Sequence, residues 1–117
     1  MTTKTPFLLA VATVAAASLA LAAPAQTATT KSVKVGDNYF VTARGVPTVR
    51  VKHGTTVRWN FAGHSFHDVT VSSGPVKFHS KVMSSGSFSE RLTKKGIYKI
   101  YCTIHGAKDQ SMILKVT

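Results

Sequence analysis

The sequence predicts an all-β sandwich, and three observations lead to this prediction. From residue 33 onwards, apolar and polar residues alternate in short runs. Turns that contain glycine separate these runs, and no stretch of the region shows the spacing of a long amphipathic helix. Short alternating strands with frequent turn signals are typical of two packed antiparallel sheets.

The first half of this region contains three predicted strands. Residues 33–35 open the first strand, which ends at the turn 36–38. Valines alternate with basic residues at 49–52, and a second apolar alternation follows at 57–61. Only a short glycine turn separates these two runs, so we expect them to form a hairpin.

The second half contains four further strands and one long connection. Residues 76–87 mix apolar residues with serine, lysine and glycine without a period, which predicts an irregular crossover. Alternating apolar residues predict strands at 69–71, 88–92, 98–102 and 112–116.

The N-terminal 25 residues are predicted to be a secretory signal peptide. Lys4 precedes an uncharged, alanine-rich stretch of 17 residues at 7–23, and Ala23-Pro24-Ala25 is a suitable cleavage site. An uncleaved membrane anchor is the alternative, and Ala28 marks a second possible cleavage site. Residues 26–32 are then a polar linker, and residues 33–117 form one domain.

The chain is strongly basic, with a formal charge of +11, or +10 once residues 1–25 are removed. Its lysines and arginines are mostly scattered singly along the strands, and Lys94-Lys95 is an adjacent pair. Such scatter is typical of a solvated sheet face, while the net charge favours acidic protein partners. Export argues against nucleic acid as a partner.

One cysteine occurs in the chain, which excludes an internal disulfide. Two residues separate Cys102 from His105, Met112 follows at the head of an apolar strand, and His67 precedes another strand. Two imidazoles with a thiolate and a thioether suit copper in both oxidation states. A buried core cysteine and a three-ligand zinc site are the alternatives.

These segments resemble the cupredoxins, and among them the plastocyanin-like proteins. The resemblance lies in residues 47–60, in His67-Asp68-Val69, and in residues 96–105, which end in Cys-Thr-Ile-His. It implies a Greek-key β-sandwich that binds one type 1 copper ion. It also implies that His67, Cys102 and His105 are the strong ligands and Met112 is the weak axial ligand.

The axial position departs from the family pattern. Six residues separate His105 from Met112, whereas plastocyanins have four, and four would place Gln110 in the axial position. Met112 is preferred because it leads directly into the last strand, as the family's axial methionine does. Gln110 as the ligand and Met112 as an ordinary core residue are the alternatives.

The upstream ligand has competitors in the other histidines. His67 is preferred because a polar residue and a β-branched strand follow it, as in the family. His64 is expected to be an exposed neighbour, and His53 and His79 to be surface residues.

The residues after two of the ligands are Asp68 and Thr103. In the family the side chains at these places hydrogen-bond across the two loops and fix the ligand geometry. We expect the same link here, with a carboxylate replacing the frequent amide.

The resulting functional prediction is an exported, monomeric type 1 copper protein that carries single electrons to or from partner proteins. No second metal motif or catalytic triad is evident, so the chain is not expected to be an enzyme. Copper delivery or storage is one alternative, but the chain lacks methionine-rich loops. A metal-free interaction module is the other.

Overall fold

The computed structural model describes residues 29–117, which form two four-stranded sheets packed as a sandwich. The predicted all-β fold is confirmed. One sheet has the strand order β2-β1-β4-β6 and the other β3-β8-β7-β5. The strands are β1 (Thr30–Gly36), β2 (Tyr39–Phe40), β3 (Thr48–Val51), β4 (Thr55–Phe61), β5 (Thr70–Ser73), β6 (Gly86–Leu92), β7 (Gly96–Tyr101) and β8 (Ser111–Val116).

The core lies between the sheets and follows the alternation in the sequence. Inward-facing residues of both sheets form one apolar cluster, with Trp59 and Tyr98 fully buried. The Trp59 indole packs against Phe78 and Phe88 at ring-centroid distances of 5.9 and 5.8 Å. Burial of such large aromatic side chains dominates the stability of a small domain.

The predicted hairpin of residues 49–52 and 57–61 is wrong. β3 pairs in parallel with β8, whereas β4 lies between β1 and β6 in the other sheet. Gly54, at φ 87°, lies in the turn that carries the chain from one sheet to the other. Alternation identifies which residues are buried. It is the same whether two successive strands pair in one sheet or face the core from opposite sheets.

Strand β1 begins at Thr30, within the predicted linker 26–32. It runs parallel to β4 from the pair Thr30↔Thr56 to the pair Val35↔Phe61. Residues 30–32 are exposed, so they join the sheet through backbone hydrogen bonds that require no apolar side chain. The predicted signal peptide lies outside the described residues.

The long connection between β5 and β6 is irregular through residue 85, close to the predicted range 76–87. Isolated bridges attach it to neighbouring segments, at His67↔Met83 and Thr70↔His79. Within residues 29–117 no helix has the length and apolar character needed to cross a membrane.

Two isoleucines on β7 provide a test of the packing. Ile100 is 1% exposed and Ile97 is 56% exposed. Ile100→Ala should lower the free energy of unfolding by about 2–5 kcal/mol, because it leaves a cavity in the core. Ile97→Ala should change it by about 0.5 kcal/mol or less. Urea unfolding of both variants measures the difference, and equal losses would contradict this assignment of faces.

Candidate metal centre

Three of the predicted ligands meet at one end of the sandwich. Cys102 directly follows β7, His105 lies three residues later, and His67 lies in the segment between β4 and β5. Their potential ligand atoms all lie within 4.8 Å of one another. Cys102 Sγ is 3.5 Å from His105 Nδ1. Cys102 and His67 are fully buried, whereas His105 is partly exposed.

The loop between β7 and β8 is held by its own backbone. The N–H of Gly106 donates to the Cys102 carbonyl at 2.9 Å, and Gly106 adopts φ 82°, a conformation that favours glycine. The Cys102 N–H donates to the Gln110 carbonyl at 3.1 Å, which continues the β7–β8 pairing by one residue. Gln110 therefore lies directly opposite Cys102.

The side chain of Gln110 is buried, and its amide has one orientation. Its Nε2 donates to the backbone carbonyls of Gly36 and Tyr39, both at 3.0 Å. Rotating the amide would place its oxygen against these two carbonyl oxygens, so the orientation is fixed. Gln110 Oε1 consequently faces His67 Nδ1 at 2.8 Å.

The two nitrogens of His67 both face oxygen atoms. Nε2 lies 2.9 Å from Asp37 Oδ1 and 3.1 Å from Ser65 Oγ. A neutral imidazole carries one N–H, so a ring that donates from Nε2 directs the Nδ1 lone pair at the oxygen of Gln110. A bound cation satisfies both of these lone pairs at once. Together with the sulfur of Cys102 and the ring of His105, the donors fit copper.

Asp37 is anchored mainly by the backbone of the His67 loop. The N–H of His64 donates to both of its carboxylate oxygens, at 2.9 and 3.0 Å, and the N–H of Ser65 donates to Oδ1 at 3.0 Å. These bonds, the His64 bond first and then the bond from the His67 ring, hold the pKa of Asp37 well below its usual range. Asp37 thus remains a carboxylate beside His67.

The expected link between the two ligand loops is present. Asp68 Oδ1 accepts from the Thr103 N–H at 2.7 Å, and Oδ2 accepts from the Thr103 hydroxyl. The N–H of Asp68 also donates to Cys102 Sγ at 3.5 Å. This pair ties the loop of His67 to the loop of Cys102, so the two ligands are positioned together.

Met112 and Gln110 have different surroundings. Met112 is buried on the inner face of β8. It lies two residues after Gln110, and Gln110 is the residue opposite Cys102. The indole N–H of Trp59 donates to its sulfur at 3.5 Å. Gln110 Oε1 faces His67 Nδ1, whereas the sulfur of Met112 accepts a hydrogen bond from Trp59, a residue of β4 in the core.

The remaining histidines are exposed. His64 is exposed, as are His53 and His79, which agrees with the prediction for all three residues. Sequence reasoning missed Asp37, because Gly36-Asp37-Asn38 indicates only a turn and lies 30 residues before His67. Only the packing of β1 beside β4 brings the two together.

Comparison with solved structures identifies the fold. A methionine-to-glutamine variant of amicyanin in the Cu(I) form superposes with a TM-score of 0.62 at 23% identity, covering 75% of this chain and 82% of that one. A purple cupredoxin from Nitrosopumilus maritimus gives 0.61 at 23% identity, covering 74% and 99%. The chain therefore has the cupredoxin fold.

The same fold occurs inside larger proteins. A copper-containing nitrite reductase from Thermus scotoductus superposes with a TM-score of 0.61 at 22% identity, covering 74% of this chain. The chain spans only 22% of that protein's length. No protein-family model and no curated protein sequence matches this chain.

His67 and His64 offer a matched pair for testing the cluster. His67→Ala should abolish the tight binding of Cu(II), because it removes a buried ligand atom. His64→Ala should leave it nearly unchanged, because that side chain is exposed. Copper stoichiometry and the visible spectrum measure both effects, and equal effects would remove His67 from the site.

Proposed function

We propose that this protein is a type 1 copper protein that carries single electrons. The observation that carries the proposal is the convergence of His67, Cys102 and His105, with ligand atoms within 4.8 Å of one another at the end of a sandwich. Copper bound by such a set cycles between Cu(I) and Cu(II). Hydrogen bonds join the two ligand loops, and both loops pack on strands, so the ligands need little rearrangement between the Cu(I) and Cu(II) states.

His105 is the ligand best placed for electron exchange with a partner. It is partly exposed, while His67 and Cys102 are buried. Two apolar residues that precede ligand histidines, Phe66 and Ile104, are 59% and 49% exposed. A partner that docks at this end would thus meet the exposed side chains of Phe66 and Ile104 beside the ring of His105.

We propose Gln110 as the fourth donor. Its oxygen is aimed at the His67 ligand nitrogen, and its amide nitrogen is held by two carbonyls. The spacing of four residues after His105 supports the same choice. Met112, which the sequence favoured, directs its sulfur towards Trp59. An amide oxygen binds Cu(II) better than a thioether does, so it favours a low reduction potential.

Export and an acidic partner complete the proposal. The signal-like sequence at 1–25 supports a periplasmic or secreted location, and the formal charge of +10 after its removal supports attraction to acidic proteins. Lys108 lies in the site loop, whereas Lys94 and Lys95 lie in the turn at the opposite end of β7 from Cys102. We further propose that the chain by itself carries electrons rather than transforming a substrate.

The spectrum of the copper-loaded protein tests the function. We expect an intense visible charge-transfer band and narrow copper hyperfine splitting in EPR, because both arise from copper bonded to a thiolate. Cys102→Ser should abolish the band while the protein stays folded, since the hydroxyl cannot replace the thiolate. A folded, copper-loaded wild-type protein without the band would overturn the type 1 assignment.

Paired substitutions decide the fourth donor. Gln110→Leu should raise the reduction potential, because Cu(II) loses an oxygen donor, and Met112→Leu should change it little. Gln110→Met should also raise the potential, and it retains a weak donor in case the leucine variant folds poorly. Protein-film voltammetry measures all three variants, and a large shift from Met112→Leu alone would return the axial role to Met112.

A further inference from the structure

We propose that Asp37 is a positioning residue that holds the His67 proton on Nε2 and so keeps Nδ1 free to bind the metal. The inference rests on the proposed copper site. Asp37 lies in the β1–β2 turn, 30 residues before His67, and its Oδ1 is 2.9 Å from His67 Nε2. The ring it contacts is 0% exposed, so no bulk water competes for that nitrogen.

The place of Asp37 is fixed independently of His67. Its carboxylate accepts the backbone N–H groups of His64 and Ser65 and the Ser65 hydroxyl, at distances from 2.9 to 3.0 Å. Gly63 permits this approach, because a Cβ there would lie 2.3 Å from Asp37 Oδ1. The loop of residues 63–65 thus holds the Asp37 carboxylate in place, and the carboxylate in turn orients the ring of His67.

The single proton of a neutral His67 ring has an acceptor at either nitrogen, and at Nε2 the Asp37 carboxylate is closer than the Ser65 hydroxyl, which lies at 3.1 Å. Asp37 faces Nε2 at 2.9 Å, and Gln110 Oε1 faces Nδ1 at 2.8 Å. The distances are nearly equal, so the charge of the acceptor decides between them. A hydrogen bond to a carboxylate is about twice as strong as one to a neutral amide. The neutral ring therefore carries its proton on Nε2, and its Nδ1 lone pair faces the cluster.

Loss of Asp37 reverses this preference. Gln110 remains fixed by Gly36 and Tyr39, so its oxygen still faces Nδ1. The Ser65 hydroxyl that is left near Nε2 is a neutral acceptor at 3.1 Å, further away than Gln110 Oε1 is from Nδ1, at 2.8 Å. The proton then moves to Nδ1 and is donated to Gln110, so that this nitrogen has no lone pair for the metal. The carboxylate also makes the bound imidazole a stronger donor, which favours Cu(II) over Cu(I).

The tautomer can be observed without copper. Long-range ¹H–¹⁵N NMR of the metal-free protein should place the single proton of the neutral His67 ring on Nε2 in the wild type. Asp37→Ala should move it to Nδ1, and Asp109→Asn should leave it on Nε2. Asp109 is an exposed carboxylate in the site loop, so it controls for the loss of one negative charge. A proton on Nδ1 in the wild type, or on Nε2 in Asp37→Ala, would overturn the proposal.

Copper binding provides the second measurement. Asp37→Ala should weaken Cu(II) binding by about 10- to 100-fold, the usual effect of losing a partner of a ligand. Asp37→Asn can keep an oxygen for His67, so it isolates the charge. It should retain the charge-transfer band and raise the reduction potential, by about 59 mV for each tenfold fall in the ratio of Cu(II) to Cu(I) affinity. If Asp37→Ala and Asp37→Asn both had the same reduction potential as Asp109→Asn, Asp37 would only support the loop.

The two proposals fail in different ways. A wild-type protein that binds copper without a thiolate band overturns the proposed function, and the metal-free NMR comparison still decides the role of Asp37. A wild-type protein with the band whose His67 tautomer ignores Asp37→Ala supports the proposed function and overturns the inference.

Discussion

Burial of polar groups at the end of an apolar core is the constraint on which the site depends. His67 is 0% exposed and Gln110 is 1% exposed. A buried polar group without a hydrogen bond costs roughly 2–7 kcal/mol, so each of these side chains must find partners within the protein. The partners come from the β1–β2 turn and from Ser65, and within residues 29–117 no buried side-chain nitrogen or oxygen lacks one. The contact between His67 Nδ1 and Gln110 Oε1 differs from the other pairings. When the ring proton is on Nε2, both atoms present lone pairs, and a cation can bind to both.

The β1–β2 turn holds both sides of this pairing. Its backbone carbonyls, from Gly36 and Tyr39, bind the amide of Gln110, and Asp37 between them binds the ring of His67. Asn38, at φ 64°, is one of the residues that tolerate the left-handed conformation such a tight turn needs. A short hairpin far from the ligands in sequence therefore sets the distance between two potential donors.

The distribution of acidic residues supports a positively charged occupant. The chain has 15 lysines and arginines but only four acidic residues. Two of these four lie at the site: Asp37 hydrogen-bonds to His67, and Asp68 hydrogen-bonds to Thr103, the residue after Cys102. A basic protein that places half of its carboxylates beside one buried cluster stabilises positive charge there, and more so for Cu(II) than for Cu(I).

The sequence by itself determined the all-β class, the buried faces of the strands, and the convergence of His67, Cys102 and His105. The first two follow from local alternation, which has a period of two, whereas the resemblance to the cupredoxins implied that His67 meets Cys102 and His105. Only the tertiary structure decided that β3 and β4 lie in different sheets, that Gln110 lies opposite Cys102 with its amide fixed, and that Asp37 contacts His67. Each of these depends on strand pairing and backbone hydrogen bonds between distant segments. The pattern of side chains does not specify which strands pair with each other.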